Sequence, residues 1–396
     1  MSATSDRTVL ISGGGIAGLT LAILLKERGW DPSIVEREPT MRSEGYVIDF
    51  FGTGWDVAER MGLIGELRKT AYPIDALTYV DRNGNPYHTI PVASVKKALD
   101  GKYVYLRRSD LERILFERAR SAGVTIRFGT TIASLADNGT HVAVNFADGG
   151  MQSFAIVFGA GGVHSRVREL MFGPESRFDR FLGYYVAAFH LDHHHYKLGT
   201  SLAICEEPDR SLWVYSLGGT ALSALYIFRY HDIGHVPPKD RLPLLKKVYR
   251  GAGWVAERIL ADYPATEPIY FDSVTQIVMP SWSKGRVALL GDACACLTLL
   301  AGQGSHLAMA GAYVIATELK RHGGDHKAAF AAYEKFMRPV TVRKQRDAVR
   351  IARFFVPSNR SVTPLRRFAV RVFFSRILVG IGLKFFGVKS VLARYV

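Results

Sequence analysis

A glycine-rich motif near the N-terminus constrains the fold of this 396-residue chain more than any other feature. It reads Gly13-x-Gly15-x-x-Gly18, follows a short apolar, β-branched run and precedes a run whose leucines have helical spacing. About twenty residues further on, a second apolar run ends in Glu36. Strand, glycine turn, helix and strand in this order predict a βαβ unit with parallel strands that binds a dinucleotide.

Each residue of the glycine motif has a physical role in such a unit. Gly13 permits the tight turn, Gly15 lets the backbone approach a pyrophosphate, and Gly18 allows the helix to pack closely on the strand. The first helical residues, Ile16 and Ala17, present N–H groups and the positive end of the helix dipole to the phosphates. The motif therefore predicts a phosphate-binding turn.

The acidic end of the second strand indicates which nucleotide is held. Glu36 can accept hydrogen bonds from ribose hydroxyls, and Arg37 follows it as a second predicted contact. A carboxylate at this point disfavours a 2′-phosphate, so NADPH is not the resident nucleotide. This first motif leaves FAD and NAD as alternatives.

A second motif late in the chain favours FAD. The segment 285–293 is an apolar run that ends in Gly-Asp-Ala and is followed by a second glycine turn before a helix. Asp292 can bind the ribityl hydroxyls, and the turn Gly302-Gln303-Gly304 can approach the flavin ring. With the glycine motif at the other end of the body, this arrangement predicts an FAD site.

The Gly-Asp-Ala motif followed by Gly-Gln-Gly resembles the class A FAD-dependent aromatic hydroxylases, the family of p-hydroxybenzoate hydroxylase. The segment 157–168 resembles the family's Asp-Gly motif, except that Gly161 stands where the family has an aspartate. In the family that acid helps to hold FAD and is linked to the use of pyridine nucleotides. Arg42 and Arg108 stand where the family places arginines that contact FAD.

Within this family the chain is similar to the tetracycline destructase type of flavin monooxygenase, through the segments 273–277, 281–286 and 311–313. The resemblance implies an enzyme that hydroxylates or oxidatively modifies an aromatic or polyketide-like small molecule with O₂ through a C4a-hydroperoxyflavin. NADPH or NADH would be the transient reductant. Because the cofactor does this chemistry, no catalytic side chain and no metal ion are expected.

The order of elements predicts an α/β fold: a Rossmann-like FAD-binding domain, a β-sheet substrate domain and a helical C-terminal extension. We predict a discontinuous FAD-binding domain over 1–72, 96–180 and 284–355. The β-rich substrate domain would comprise 73–95 and 181–283, and the extension 356–396.

The substrate is expected between the flavin and the β-rich layer. Aromatic or cationic residues at strand positions are the candidates for contacting it: Tyr46, Phe189, Trp213, Tyr215 and Arg229. Arg229 could pair with an acidic or enolate substrate. Aromatic residues on such strands often belong to the core, so each of these residues could lie either in the core or in the lining of the substrate pocket.

The formal net charge of +15 is concentrated late in the chain. Since no nucleic-acid fold signature accompanies it, we expect a solvated or membrane-adjacent basic face and no nucleic-acid partner. The apolar segment 376–396, interrupted by basic residues, either packs on the body as a helix or lies on a membrane as a peripheral contact. Three cysteines and the absence of a signal-peptide pattern indicate the cytoplasm.

Two other functions remain open at this point. One is an FAD-dependent reductase or dehydrogenase that acts on a lipid-like substrate at a membrane, which the basic apolar tail motivates. The other is a non-catalytic flavin-binding protein, which the replacement at Gly161 makes conceivable.

Overall fold

The computed structural model describes residues 7–41, 46–192, 196, 199–218, 220–298, 300, 302–357, 371–372 and 389–395. Arg42 lies outside these residues, as does most of the predicted C-terminal extension. The contacts predicted for them therefore stay predictions.

The strands, in chain order, are β1 Thr8–Ser12, β2 Asp31–Glu36, β3 Val47–Phe51, β4 Ala76–Val80, β5 Pro86–Pro91, β6 Tyr103–Arg107, β7 Thr125–Phe128, β8 Ile132–Asp137, β9 Val142–Phe146, β10 Met151–Phe154, β11 Ile156–Gly159, β12 Asp179–Leu191, β13 Ser201–Glu207, β14 Arg210–Gly218, β15 Ala221–Arg229, β16 Tyr270–Ile277, β17 Ser283–Lys284 and β18 Val287–Leu289. The helices are α1 Ile16–Lys26, α2 Gly52–Arg60, α3 Ile64–Thr70, α4 Val92–Ala98, α5 Arg108–Ser121, α6 Arg166–Phe172, α7 Pro238–Val248, α8 Ala256–Asp262, α9 Asp292–Ala295, α10 Gly304–Arg321 and α11 His326–Phe355.

A six-stranded sheet in the order β17-β18-β11-β1-β2-β7 forms the centre of the nucleotide-binding part. Strand β1 pairs in parallel with both β2 and β11, and the pairing stays parallel out to β7 and β18. Helix α1 is buried from Ile16 to Leu25 and packs against α10 and α5. The predicted βαβ unit and the α/β fold class are confirmed.

A second sheet of seven strands has the order β16-β12-β15-β14-β13-β4-β5. The hairpin of β4 and β5 joins it through the parallel pairing of β4 with β13. One face of this sheet packs against α7 and α8, two helices that the sequence analysis did not identify in the β-rich stretch. The other face looks toward β3, α11 and the nucleotide-binding part.

The last described residues pack on the protein body. The N–H of Val391 donates to Thr53 Oγ1 at 3.0 Å, and the Tyr395 hydroxyl donates to Glu318 Oε1 at 2.6 Å. Among the residues that the structure describes, no helix is both long enough and apolar enough to cross a bilayer. The segment between α11 and Val391 lies largely outside the described residues, so the predicted membrane contact through it receives no support.

Candidate active site

A cleft opens where the parallel strands of the six-stranded sheet end. Gly13 follows β1, Glu36 ends β2, and Gly161 follows β11. All three line the same cleft, whose empty volume is about 1160 Å³ with its open mouth included. Ligands of open parallel sheets bind at the carboxyl ends of the strands, so this position fits a bound nucleotide.

The glycine loop has the geometry that its sequence predicted. Gly13 has a φ of +121°, and a Cβ atom there would lie 2.4 Å from the Ala160 carbonyl oxygen. At Gly18 a Cβ would lie 2.0 Å from the Gly13 oxygen, so α1 packs directly on the loop. Gly15 caps α1 without a side chain, and Ile16 and Ala17 line the cleft beside it. The N–H groups at the start of α1 are thus available to a phosphate.

The acidic end of β2 is fixed against this loop. Glu36 Oε2 accepts a hydrogen bond from the Gly14 N–H at 2.7 Å, and Oε1 accepts one from the Glu38 N–H at 3.0 Å. Glu36 and Arg37 both line the cleft. Their predicted contact with the adenosine ribose fits this placement and stays a prediction.

An ion pair at the start of α5 closes one side of the cleft. An Arg108 nitrogen lies 2.8 Å from Glu112 Oε1, and both residues line the cleft. Burial lowers the pKa of the Arg108 guanidinium, but Glu112, Tyr46, Tyr270 and Asp292 together outweigh burial and raise this pKa above its ordinary value. Glu112 lies 3.5 Å from where a Gly15 Cβ would be, so the pair faces the phosphate-binding loop.

The second predicted motif also lines the cleft. Asp292 and Gly304 line it, and a Cβ at Gly304 would lie 3.7 Å from Asp292 Oδ1. Burial raises the pKa of Asp292, while the charge of Arg108 opposes this rise. Gly302, with a φ of +61°, and Gln303, which caps α10, directly precede Gly304 in the chain. The cleft thus combines a phosphate loop, a ribose acceptor and Asp292 beside a second helix start, which fits FAD.

Gly161 departs from the family pattern without a steric reason. A Cβ there would lie 3.5 Å from Ser165 Cα and 3.8 Å from the Ser12 oxygen, which are ordinary contacts. Its φ also lies outside the left-handed region, unlike that of Gly162 at +71°. The loop could therefore hold an aspartate at position 161. The glycine found there is a property of this chain and is not required by the fold.

The structure corrects the choice of Phe189 as a substrate residue. Phe189 is 4% exposed and lies on the face of the seven-stranded sheet that packs against α7 and α8. Its ring centroid is 4.1 Å from that of Tyr263 and 5.6 Å from that of Tyr226. Because strand residues alternate between faces, Phe189 points away from the nucleotide-binding part and belongs to the core.

Arg229 also differs from its predicted role. Its Nε donates to Asp209 Oδ1 at 2.8 Å, and its Nη2 donates to the Tyr184 hydroxyl at 2.9 Å and to the Val356 oxygen at 3.4 Å. These partners use its donors to join β15 to the end of α11. Arg229 is therefore a structural residue rather than a partner for a substrate anion.

Trp213, Tyr46 and the newly found Tyr270 come together on the face of the sheet that looks toward the cleft. The backbone register places Tyr270, Ala188, Leu225 and Trp213 in one row across four strands. The Tyr46 ring centroid lies 5.9 Å from that of Tyr270. We call Tyr46, Trp213 and Tyr270, with Ala188 and Leu225 between the last two, the aromatic row.

The aromatic row is joined to the cleft. The backbone N–H of Arg108 donates a hydrogen bond to the backbone carbonyl oxygen of Tyr46 at 3.1 Å. Burial raises the pKa of the Tyr46 phenol to about 12, and the charge of Arg108 opposes this rise. Tyr215 lies on the same face of the sheet, but its hydroxyl accepts from the Val47 N–H at 2.9 Å and so holds β3 against the sheet.

Sequence reasoning missed three residues near the site besides Tyr270. Glu112 could have been found from its spacing of four residues from Arg108 on one helix. Asp49, whose pKa burial raises, accepts a hydrogen bond from the Tyr103 hydroxyl across the β3–β6 pair, and no local pattern indicates that pairing. Lys344 reaches the site from α11 through a helix crossing that the sequence does not show.

Comparisons with known proteins agree with this geometry. The family model described as "FAD binding domain" matches residues 6–343. An uncharacterized protein of Mycobacterium tuberculosis is 34% identical over 342 residues, which cover 83% of this chain and 88% of that protein. A flavin-dependent monooxygenase of an unknown prokaryotic organism is 30% identical over 363 residues, which cover 91% of this chain and 92% of that protein.

The solved structure of a tetracycline destructase has the same fold. It superposes with a TM-score of 0.82 at 27% sequence identity, covering 98% of this chain and 99% of that one. The chain therefore belongs to the FAD-binding domain family, as an FAD-dependent monooxygenase of the class A aromatic hydroxylase type.

Proposed function

We propose that this monooxygenase inserts one atom of O₂ into an aromatic or enol carbon of a planar, polyketide-like small molecule, with electrons from NADH or NADPH. The aromatic row is the observation that carries the proposal. A backbone hydrogen bond from Arg108, which lines the cleft, to Tyr46 connects the row to the cleft, and the row has aromatic residues on both sides of the small residue Ala188. Planar, electron-rich molecules bind well between such rings.

The side chains of the aromatic row supply position and a dry surface rather than acid or base groups. Ala188 and Leu225 have apolar side chains, so the surface between Tyr270 and Trp213 is apolar, and it packs in one cluster with Ala352 and Val356 at the end of α11. FAD supplies the redox chemistry when it is bound. The row would hold the substrate carbon toward the cofactor and keep water away from it.

The tetracycline destructase comparison supports a polycyclic substrate with enol groups. That protein shares the fold over nearly its whole length, and its name states an action on tetracycline. No observation favours the membrane-bound reductase, and the described C-terminal residues pack on the body. The similar proteins include flavin-dependent monooxygenases, which are enzymes, so they do not support the alternative of a non-catalytic flavin-binding protein.

Oxygen transfer is tested with the purified, FAD-loaded protein and a panel of phenolic and polycyclic enol compounds. We expect at least one compound to stimulate NADH or NADPH oxidation and to gain one ¹⁸O atom from ¹⁸O₂, detected by mass spectrometry. The matched reaction uses ¹⁶O₂ in H₂¹⁸O. A product that takes its oxygen from water, or a panel that yields only peroxide, would contradict the proposal.

Trp213 and Phe189 provide a matched pair on opposite faces of the sheet. Trp213→Leu should raise KM for the substrate found in that panel by about tenfold, because one stacking surface is lost. Phe189→Leu should lower the free energy of unfolding by about 1 kcal/mol and leave KM within twofold. Steady-state kinetics and urea unfolding of both variants measure this. If Phe189→Leu raised KM more than Trp213→Leu does, the substrate would bind on the face of the sheet that carries Phe189, and the proposed site would be wrong.

A further inference from the structure

Helix α11 carries a lysine to the turn at which α10 begins. The Lys344 ammonium donates a hydrogen bond to the side-chain oxygen of Gln303, which is 8% exposed. Gln303 directly precedes Gly304 and Ser305, and both of these residues line the FAD cleft. The charge of Lys344 therefore lies just behind the end of the cleft that α10 approaches.

The backbone next to Lys344 is fixed by a buried amide exchange. The Gln345 side chain donates to the Ile277 oxygen at 2.8 Å and to the Cys296 oxygen at 2.9 Å. In return, the Gln276 side chain donates to the Gln345 backbone oxygen at 2.8 Å. These bonds hold α11 to β16 and to the segment after α9. Since Lys344 is the neighbouring residue, its position relative to the cleft is fixed as well.

The groups that face Lys344 leave it charged near neutral pH. Burial, and to a smaller extent Arg343 on the same helix, lowers the pKa of Lys344 to about 8, and Asp347 opposes this fall. His306 faces it from α10, but burial lowers the pKa of that imidazole to about 4, so it is neutral at pH 7. Lys344 thus places a positive charge beside the N-terminus of α10, which is itself the positive end of a helix dipole.

Two positive features at one end of an FAD site are suited to a ligand that becomes more negative there. A hydride from NADH or NADPH adds two electrons and one proton to oxidised FAD, so the reduced ring system carries one more negative charge. We propose that Lys344 is a positioning residue that acts through Gln303 and α10 to stabilise reduced FAD and raise its midpoint potential. The inference rests on FAD binding and is independent of the substrate.

The potential of bound FAD tests the proposal without any substrate. In Lys344→Met, the ratio of reduced to oxidised FAD at a fixed poise should fall about tenfold near pH 6.5, which is ~30 mV for a two-electron couple. Lys344→Arg keeps a positive charge at all accessible pH values and should stay within about threefold of wild type there. Arg346→Met removes an exposed charge two residues further along α11 and is the matched control, with a change below about twofold.

The pH dependence separates a charge effect from a packing effect. A protonated lysine favours reduced FAD, so by reciprocity reduction raises the pKa of Lys344, by about one unit for a tenfold effect. The difference between wild type and Lys344→Met should therefore be complete below about pH 7 and fall below about twofold near pH 9.5. Lys344→Arg should keep its advantage over Lys344→Met at both pH values.

Dye-coupled spectroscopic titrations of the three variants and of wild type give these potentials. Equal potentials for wild type and Lys344→Met near pH 6.5 would overturn the proposal, as would a difference that is the same near pH 9.5. If Lys344→Met does not retain FAD, Lys344→Arg decides the outcome. Relative to wild type, its potential must rise between the two pH values, and parallel pH profiles would overturn the proposal.

Discussion

Arg108→Met should weaken FAD binding about 100-fold, which corresponds to ~3 kcal/mol. The substitution keeps most of the aliphatic volume but removes the guanidinium that lies 2.8 Å from Glu112 Oε1. Glu112 is 8% exposed and faces the glycine loop, so its carboxylate would lie unpaired beside the pyrophosphate of the cofactor. Loss of the cation and exposure of the anion both oppose binding of a diphosphate.

A double-mutant cycle separates these two contributions. Glu112→Gln alone should change the FAD dissociation constant less than about fivefold, because Arg108 remains available to the cofactor. The combination of both changes should recover about tenfold of the affinity that Arg108→Met loses, since the unpaired carboxylate is gone. Fluorescence titration of the apoprotein with FAD measures all three variants.

Arg113 is the matched control for this prediction. It lies on the same helix, its side chain is 49% exposed, and it pairs with Glu117 at 3.2 Å. Arg113→Met should alter FAD affinity less than about twofold, because an exposed ion pair contributes little. An Arg108→Met variant that binds FAD within threefold of wild type would show that the Arg108–Glu112 pair is structural and does not face the cofactor.

The sequence predicted those parts of the site that depend on neighbouring residues in the chain. The turn at Gly13, the close approach at Gly18 and the acid at Glu36 follow from local backbone requirements. In the structure Gly13 and Glu36 line one cleft, and Gly18 packs against the Gly13 backbone. The motif at Asp292 and Gly304 was found in the same way, because a strand, a glycine turn and a helix start form a local pattern.

The substrate side of the site could not be predicted as well, since it depends on which face of a sheet is covered. Alternation along β12 and β14 separates Phe189 from Trp213, but it does not say which face looks toward FAD. That choice is made by α7 and α8, which pack on the face that carries Phe189. The ion pair of Arg229 with Asp209 likewise depends on a turn between two strands, which strand alternation does not position.

Gly18→Ala should cost about 3 kcal/mol in the free energy of unfolding and should abolish retention of FAD during purification. A Cβ at this position would lie 2.0 Å from the Gly13 oxygen and 3.1 Å from Ile11 Cγ2. The first neighbour is backbone, so the clash cannot be relieved by a side-chain rotation. Helix α1 would have to move off β1, and the N–H groups at its start would leave the phosphate site with it.

Gly65→Ala distinguishes this steric effect from the general effect of adding a methyl group. Gly65 lies in α3, and apart from the adjoining residues and the backbone of α3 itself, no described atom lies within 4 Å of the position that its Cβ would take. The substitution should therefore stabilise the protein by about 1 kcal/mol through helix propensity, with FAD content unchanged. Urea unfolding and the absorbance of bound flavin measure both variants. A Gly18→Ala protein as stable and as yellow as Gly65→Ala would mean that α1 can shift without cost, and the glycine would then have no role in positioning the cofactor.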